Sequence, residues 1–334
     1  MKRAFVTGGS GYLGRNLIAA LRERGLEVRA LARSDAAAAA VEKAGAVAAR
    51  GDLDDAGALA AGMEGCDVAF HSAAKADDWG PPEEFHRLNV DGTRRVCEAA
   101  RKAAVPRLVH VSTEAVLVGG GPLVRVDETF PYPERAIGLY SVTKRLAERV
   151  ALEANAPPGL SVVVVRPRFI WGRDDTTLLP RLVEAVRAGR FRWIAGGRYL
   201  TSTTHVANAC EGLILAAERG RPGEVYFVTD GEPVEFRRFV GDLIRTQGVD
   251  PGEKAIPRPL ARLFAAGAEL VWRAFGRAGA PPVTRMAVAI AGEEVTLVDE
   301  KARRELGYRG GMTRERGLEE LRAGGDMAPA KGGG

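Results

Sequence analysis

Residues 3–24 read Arg-Ala-Phe-Val-Thr-Gly-Gly-Ser-Gly-Tyr-Leu-Gly-Arg-Asn-Leu-Ile-Ala-Ala-Leu-Arg-Glu-Arg, and they decide the fold. A short apolar strand, Ala4–Thr7, runs into Gly8, Gly11 and Gly14; Leu13, Leu17, Ile18 and Leu21 then recur at helical spacing. Strand, glycine turn and helix in that order make the setting in which Gly-x-x-Gly-x-x-Gly holds a dinucleotide. The first glycine allows the tight turn, the second lets a diphosphate approach the backbone, and the third lets helix pack on strand. Free N–H groups and the helix dipole then face the diphosphate. Ser10, Tyr12 and Leu13 lie in the same turn and join the expected cofactor contacts. A purely structural turn is the competing reading.

Further along, strands are expected at Leu26–Leu31, just before Gly51, and at Asp67–His71, Arg107–Ser112 and Ser161–Val165. Helices are expected between them over Ala36–Ala49 (ending near Gly45), Leu59–Met63, Val90–Lys102 and Val142–Ala154. This alternation predicts an α/β protein with a doubly wound parallel Rossmann sheet. Val225–Val228 reads as one more strand of it. Helical text at Leu178–Ala188, Phe236–Thr246 and Leu260–Phe275, divided by prolines, predicts a smaller, mostly helical C-terminal substrate lobe. The expected division is a dinucleotide-binding domain at 1–172 with 205–230 returning to it, a lobe at 173–204 and 231–323, and a flexible tail at 324–334. Leu260, Leu263, Phe264, Gly267, Leu270, Val271 and Phe275 share one helical stripe. It suits a face packed on its own core, a lid over an apolar substrate, or an interfacial helix with Trp272 and arginines at its flanks.

Composition narrows the function. The chain has 334 residues, 46% hydrophobic and 27% charged, enough for a full core and two domains. A net charge of +5 without a clustered basic stripe argues against nucleic acid as a partner. Cys66, Cys97 and Cys210, with His71, His86, His110 and His205, show no metal-ligand or disulfide spacing, so no metal is expected. No run of 18 apolar residues lacks a charge, so no membrane span is expected, though peripheral contact stays open. The opening residues turn to glycine too early for a signal peptide, and a reducing, cytoplasmic setting is expected.

The second strand ends in Ala32-Arg33-Ser34, with Asp35 the first acid. Arg33 would meet a 2′-phosphate and Ser34 would donate to it, so NADP(H) is expected over NAD(H); a solvated arginine competes. Asp52 and Leu53 stand where an adenine edge lies, unless Asp52 merely caps the next helix. Ser72, Ala73 and Ala74 put small side chains beside the cofactor, while His71 reads as a packed histidine. Tyr140 and Lys144, at i and i+4, share a helix face. An ammonium beside a phenol favours the phenolate, so Tyr140 would be acid in ketone reduction and base in alcohol oxidation. Thr113 would supply a further hydroxyl, with Ser112 as the fallback.

Together these motifs resemble the extended short-chain dehydrogenase/reductase family. The resemblance is to the branch of 3β-hydroxysteroid dehydrogenase-like enzymes, dihydroflavonol reductases and 2-alkyl-3-oxoalkanoate reductases. It rests on Thr7–Gly14 (TGGxGxxG), Asp52-Leu53, Asn89–Thr93 (NVxGT), Tyr140 with Lys144 (YxxxK), Arg166–Gly172 (RPxxxYG) and His205–Asn208. The resemblance implies that Asn89 helps fix the active-site geometry. It also implies that Lys75, Val111, Ser112, Pro167 and Phe169 join the cofactor set, and that Lys144 holds the nicotinamide ribose. The Ala74–Gly80 stretch resembles AAKxxxWG, which implies Trp79 against an apolar substrate, unless it only pins its loop; Glu114, Arg168 and Trp171 complete the implied substrate set, with Glu114 also reading as a structural acid. Trp171 stands where the family has Tyr, and Ala115 where dehydratases carry a second acid. The implied activity is alcohol–ketone interconversion on a hydrophobic steroid-like or long-chain β-keto compound. Nucleotide-sugar epimerase or dehydratase, for which Arg181, Arg190, Arg192 and Arg198 are available, and dihydroflavonol-type reductase are the alternatives. A non-enzymatic NADP-sensing protein is a further reading. Family members often pair as homodimers through the helices 90–102 and 140–154.

Overall fold

The computed structural model describes residues 1–324; the expected tail from 325 onward lies outside the described residues. Seven strands build the large sheet: β1 (Arg3–Thr7), β2 (Glu27–Ala32), β3 (Val47–Arg50), β4 (Val68–His71), β5 (Arg107–Val111), β6 (Ser161–Pro167) and β7 (Val225–Val228). All neighbours are parallel, in the order β7-β6-β5-β4-β1-β2-β3. Helices cover both faces, so strands are apolar on both sides. In β1, Ala4 and Val6 enter one core with Leu17, Ile18 and Leu213, whereas Phe5 enters the other with Leu59, Val96 and Val162. Chain direction along the sheet reverses between β1 and β4, where Thr7 is paired with His71. In such sheets the crevice beyond those strand ends receives the ligand.

The C-terminal region is more helical, as expected, but it also holds a sheet that hydropathy does not announce. Four short strands, in the order Val234–Glu235, Leu200–Thr201, Val295–Leu297 and Leu123–Val126, form it. Trp171, Trp193, Phe239, Leu243 and Leu321 form a core of their own beside it. The chain then returns to the large sheet: Ala302, Leu306 and Tyr308 pack with Tyr226 and Leu213. Residues 300–308, expected in the lobe, therefore share the core of the large sheet.

Three local features place the site. The Leu139–Glu153 helix starts earlier than the expected Val142, at Gly138 with φ +84°, which brings Tyr140 into the first turn. A π-turn over His86–Asp91 precedes the Gly92–Lys102 helix and holds Asn89 in the interior. The Arg258–Ala274 helix buries only Ala261, Ala265 and Glu269, and turns its apolar stripe outward. Core packing of that stripe is excluded. Cys66, Cys97 and Cys210 are free thiols, all buried. No helix among the described residues is long and apolar enough to cross a membrane.

Candidate active site

The glycine turn is built by close approach. Gly8 has φ +70°, and a Cβ there would lie 2.6 Å from the Ala73 nitrogen; one on Gly14 would lie 2.1 Å from the Gly8 oxygen. Neither space admits a side chain. Gly11 donates its N–H to the Gly8 oxygen at 3.0 Å, and Arg15 braces the loop through the Ser10 oxygen at 2.7 Å. The Tyr12–Glu23 helix opens with no side-chain cap and no acid in its first turn. Its first N–H groups are thus left to an anion.

A cavity of about 390 Å³ opens above this turn. Gly8, Ser10, Gly11, Arg33, Asp52, Leu53, Ser72, Ala73, Ala74 and Lys75 line it, with Leu31, Gly51, Ala76, Asp77 and Leu88, which sequence reasoning missed. Tyr12, Leu13 and Gly14 do not line it. The Tyr12 ring turns inward, where burial, then Asp175, push its phenol up. Asp55, not Asp52, caps the next helix, accepting from the Ala58 N–H at 2.9 Å. Asp52 accepts from the Leu53 N–H at 2.6 Å and lines the cavity. Beneath the floor, Ser72 donates to the Thr7 oxygen at 2.7 Å, and His71 bridges Thr7 and Thr93 at 2.7 and 3.0 Å. Burial, then the Lys144 charge, drive the His71 imidazole down to about 3, so it is a neutral, packed histidine.

Val111, Ser112 and Thr113 lead from the end of β5 to the second part of the site. Lys144 is buried and donates to the Val111 oxygen at 2.7 Å; burial lowers it to about 8 against the pull of Glu148. Thr113 donates to Glu114 at 2.8 Å, accepts from the Ala115 N–H at 3.2 Å, and lies beside the half-buried Tyr140. Burial, then the Glu114 charge, push the Tyr140 phenol up, and Thr113 only opposes them. The expected lowering by Lys144 is not what this arrangement produces, because its ammonium is bound to the Val111 carbonyl. Ser112 is committed elsewhere, donating to Glu148. Asn89 ties the two parts together: it accepts from the Lys75 N–H at 2.7 Å and donates to the Lys75 oxygen at 3.1 Å and to Thr143 at 3.0 Å.

The residues expected to touch substrate divide. Glu114 and Arg168 form a buried ion pair, and Arg168 also donates to Thr201 at 3.0 Å and to the Ile290 oxygen at 3.3 Å. Trp171 is fully buried, donating to Asp230 at 2.8 Å with its ring edge-on to Phe239, so it belongs to the lobe's core rather than to the substrate set the resemblance implied. Pro167 ends β6 in the interior; Phe169, at φ +46°, turns its ring onto Phe239. Trp79 is half-buried under the Arg273 guanidinium at 5.2 Å, and its neighbour Asp78 accepts from Thr284 at 2.6 Å. The loop after β4 is thereby fastened beneath the outer helices. His205 caps the Val206–Arg219 helix and, with Trp171, Thr203 and Asn208, gathers on Asp230, an acid that no motif singled out.

Residues 5–258 match the family model described as the 3-beta hydroxysteroid dehydrogenase/isomerase family. The chain is 55% identical over 323 residues to a 4-hydroxy-2-methyl-3-oxo-4-farnesyl-3,4-dihydroquinoline-1-oxide ketoreductase of Stigmatella aurantiaca, covering 97% of this chain and 96% of that one. It is 37% identical to a 2-alkyl-3-oxoalkanoate reductase of Stenotrophomonas maltophilia, covering 96% and 98%. Among solved structures it resembles MoeE5 in complex with UDP-glucose and NAD, at a TM-score of 0.72 and 26% identity over 96% of this chain and 97% of that one. Other solved structures of the same fold also hold NAD. This overturns the expected preference for NADP(H). At the end of β2 the Ser34 oxygen caps the Asp35–Lys43 helix by accepting from the Ala37 N–H at 3.2 Å, Asp35 pairs with Arg50 at 2.8 Å, and Arg33 is exposed. The cradle, Tyr140 and Lys144 on one helical turn, and these likenesses agree: the chain belongs to the 3-beta hydroxysteroid dehydrogenase/isomerase family and is an NAD(P)-dependent oxidoreductase acting on an alcohol–ketone pair.

Proposed function

We propose that this protein reduces a ketone on an apolar substrate, and in reverse oxidises the secondary alcohol, with NAD(H) as cofactor. Gly8 and Gly14 leave a cradle that a Cβ would fill, which fits a diphosphate; Asp52 and Arg33 stand at the wall for the adenosine half. The bound nicotinamide supplies or accepts the hydride.

The observation that carries the reading is the placement of Tyr140 one helical turn from buried Lys144, which is fastened to the Val111 oxygen at the end of β5 beside Thr113; burial and the Glu114 charge favour the protonated phenol. A phenol held in that form gives its proton to the substrate oxygen as the carbonyl carbon is reduced. Thr113 holds that oxygen in line, and Lys144 carries positive charge behind the site. Asn89 and the Asn89–Thr143 bond keep the Lys75 loop and the Tyr140 helix in register. The relative from Stigmatella, named for ketone reduction on a farnesylated ring, supports an apolar substrate, and Trp79 offers an aromatic surface for it.

A second reading is nucleotide-sugar epimerase or dehydratase chemistry, favoured by the likeness to MoeE5 with UDP-glucose. Against it, Glu114 is tied to Arg168 and Thr113, and Arg181 and Arg190 are paired with Asp77 and Glu184. The test mixes the protein with NADH and either β-keto acids, isoprenoid quinoline ketones and 3-ketosteroids, or UDP- and dTDP-glucose. Stoichiometric loss of NADH absorbance with the ketones supports the first reading. Conversion of a sugar nucleotide with no net NADH change would replace it.

A further inference from the structure

Thr7, His71 and His110 stand at paired positions on the neighbouring strands β1, β4 and β5. All three are buried, and so are Thr93, Asn89 and Thr143 beyond them. Each hydrogen bond in this group has an assignable direction. The Thr93 hydroxyl lies 2.6 Å from the Asn89 carbonyl oxygen, a contact that only the threonine proton can hold. That hydroxyl has no proton left for His71, so the 3.0 Å contact between them requires an N–H on His71 Nε2. Burial, then the Lys144 charge, keep the imidazole neutral, with a single proton. Its Nδ1 is therefore bare and accepts from the Thr7 hydroxyl at 2.7 Å, while Thr7 accepts in turn from the Ala73 N–H at 3.4 Å. At the far end Thr143 spends its proton on the Leu139 oxygen at 2.7 Å, and so accepts from the Asn89 amide at 3.0 Å.

All these donors point one way, from Ala73 through Thr7, His71, Thr93 and Asn89 to the start of the Leu139–Glu153 helix. His110, with its ring centre 5.3 Å from that of His71, has no hydrogen-bond partner on either nitrogen and offers no branch. Both ends of the row belong to the site. Ala73 closes on Gly8, where no Cβ fits, and both line the cavity. Asn89 clamps Lys75, another lining residue, and Thr143 lies three residues from Tyr140.

We propose that His71, in its Nε2–H form, is a positioning residue that couples the seating of a diphosphate on the Gly8 turn to the placement of Lys75 and Tyr140. This rests on the cofactor and proton-donor assignments proposed above. No proton changes owner along the row. His71 acts by holding two bonds that, in a buried setting, neither lengthen nor exchange with water cheaply, so a displacement at Thr7 is passed on to Thr93.

The test uses ADP, which carries the diphosphate but has no nicotinamide half to lie against Tyr140. Amide hydrogen exchange is followed by mass spectrometry, with and without ADP, in the wild type, His71→Leu and Thr93→Val; circular dichroism checks each fold. Thr93→Val keeps the side-chain shape and breaks the same row at its next link, so it serves if His71→Leu does not fold. The expected result is slower exchange at residues 7–15 in every protein, and at residues 139–145 in the wild type alone. With NADH and the ketone, both variants are expected to lose about tenfold or more in kcat while the dissociation constant for NADH changes by less than about threefold. Protection at 139–145 that persists in a variant, or is missing from the wild type, overturns the coupling, as does a wild-type kcat in either variant. A protein that shows the expected protection but reduces no ketone keeps the coupling and removes the proposed reaction instead.

Discussion

Tyr140 and Lys144 stand one helical turn apart, and burial acts on them in opposite senses: it holds the phenol protonated and loosens the proton on the amine. Tyr140→Phe is expected to cut ketone reduction by about a hundredfold or more while NADH binding, followed by fluorescence, stays near wild type. Lys144 in the fold titrates at about 8 against an ordinary 10.5. The unfolded chain binds the extra proton between those values, so this group's penalty is complete below about pH 8 and stability from it rises with pH up to 10.5. Activity runs the other way. The rate of reduction is expected to fall as pH climbs through about 8, and Lys144→Met should remove that inflection from a pH–rate profile. Candidates carried by a local motif were legible in the sequence: the glycines, Asp52, Thr113, Tyr140 and Lys144 were singled out there, and Gly8, Gly11 and Asp52 line the cavity. Trp171 and Arg168 were misjudged because a motif gives a position and says nothing of which way the side chain turns once the lobe closes over it.

Among the elements, the glycine turn and the Leu139–Glu153 helix set the tolerances. Gly14→Ala would push a methyl group to 2.1 Å from the Gly8 oxygen, so the turn must open; dinucleotide binding is expected to be lost by equilibrium titration before the fold is. Glu148 anchors the Leu139–Glu153 helix to the end of β6 through Arg166. Burial alone would raise its carboxyl, but bonds from Arg166, Ser112 and Tyr132 hold it below its ordinary value. Glu148→Ala leaves the Arg166 guanidinium buried without its counter-charge, and a loss of about 3–5 kcal/mol is expected in denaturant unfolding. Long strands and helices were readable from periodicity, to within a few residues at their ends. The two-residue strands at 170–171, 193–194, 200–201 and 234–235 were not, since so short a segment shows no alternation. The π-turn at His86–Asp91 was equally hidden, since nothing in its composition sets it apart from the α-helix that follows.

For the whole molecule, alternating strands and helices were enough to read the parallel sheet, and with it the crevice between β1 and β4. What joins the lobe to that crevice was out of reach, because it is made by pairs far apart in the chain. Asp78 with Thr284 and Trp79 with Arg273 bridge some two hundred residues. Asp78→Ala should loosen this fastening and raise KM for the ketone several-fold with little change in kcat, read from steady-state kinetics. The outward stripe at Leu260–Phe275 shows the same limit: an amphipathic pattern tells that one side is apolar, and only the packed neighbours tell which side is inward.

The interior thiols carry one more consequence. Cys66, Cys97 and Cys210 are 4%, 2% and 2% exposed, and burial first of all pushes each thiol up, Cys97 and Cys210 to about 12. Nucleophilic thiolate is thus scarce, so maleimides and iodoacetamides should leave the native chain unmarked. A Phe275→Cys variant would then be the lone point of attachment for a spectroscopic reporter, with no background to subtract.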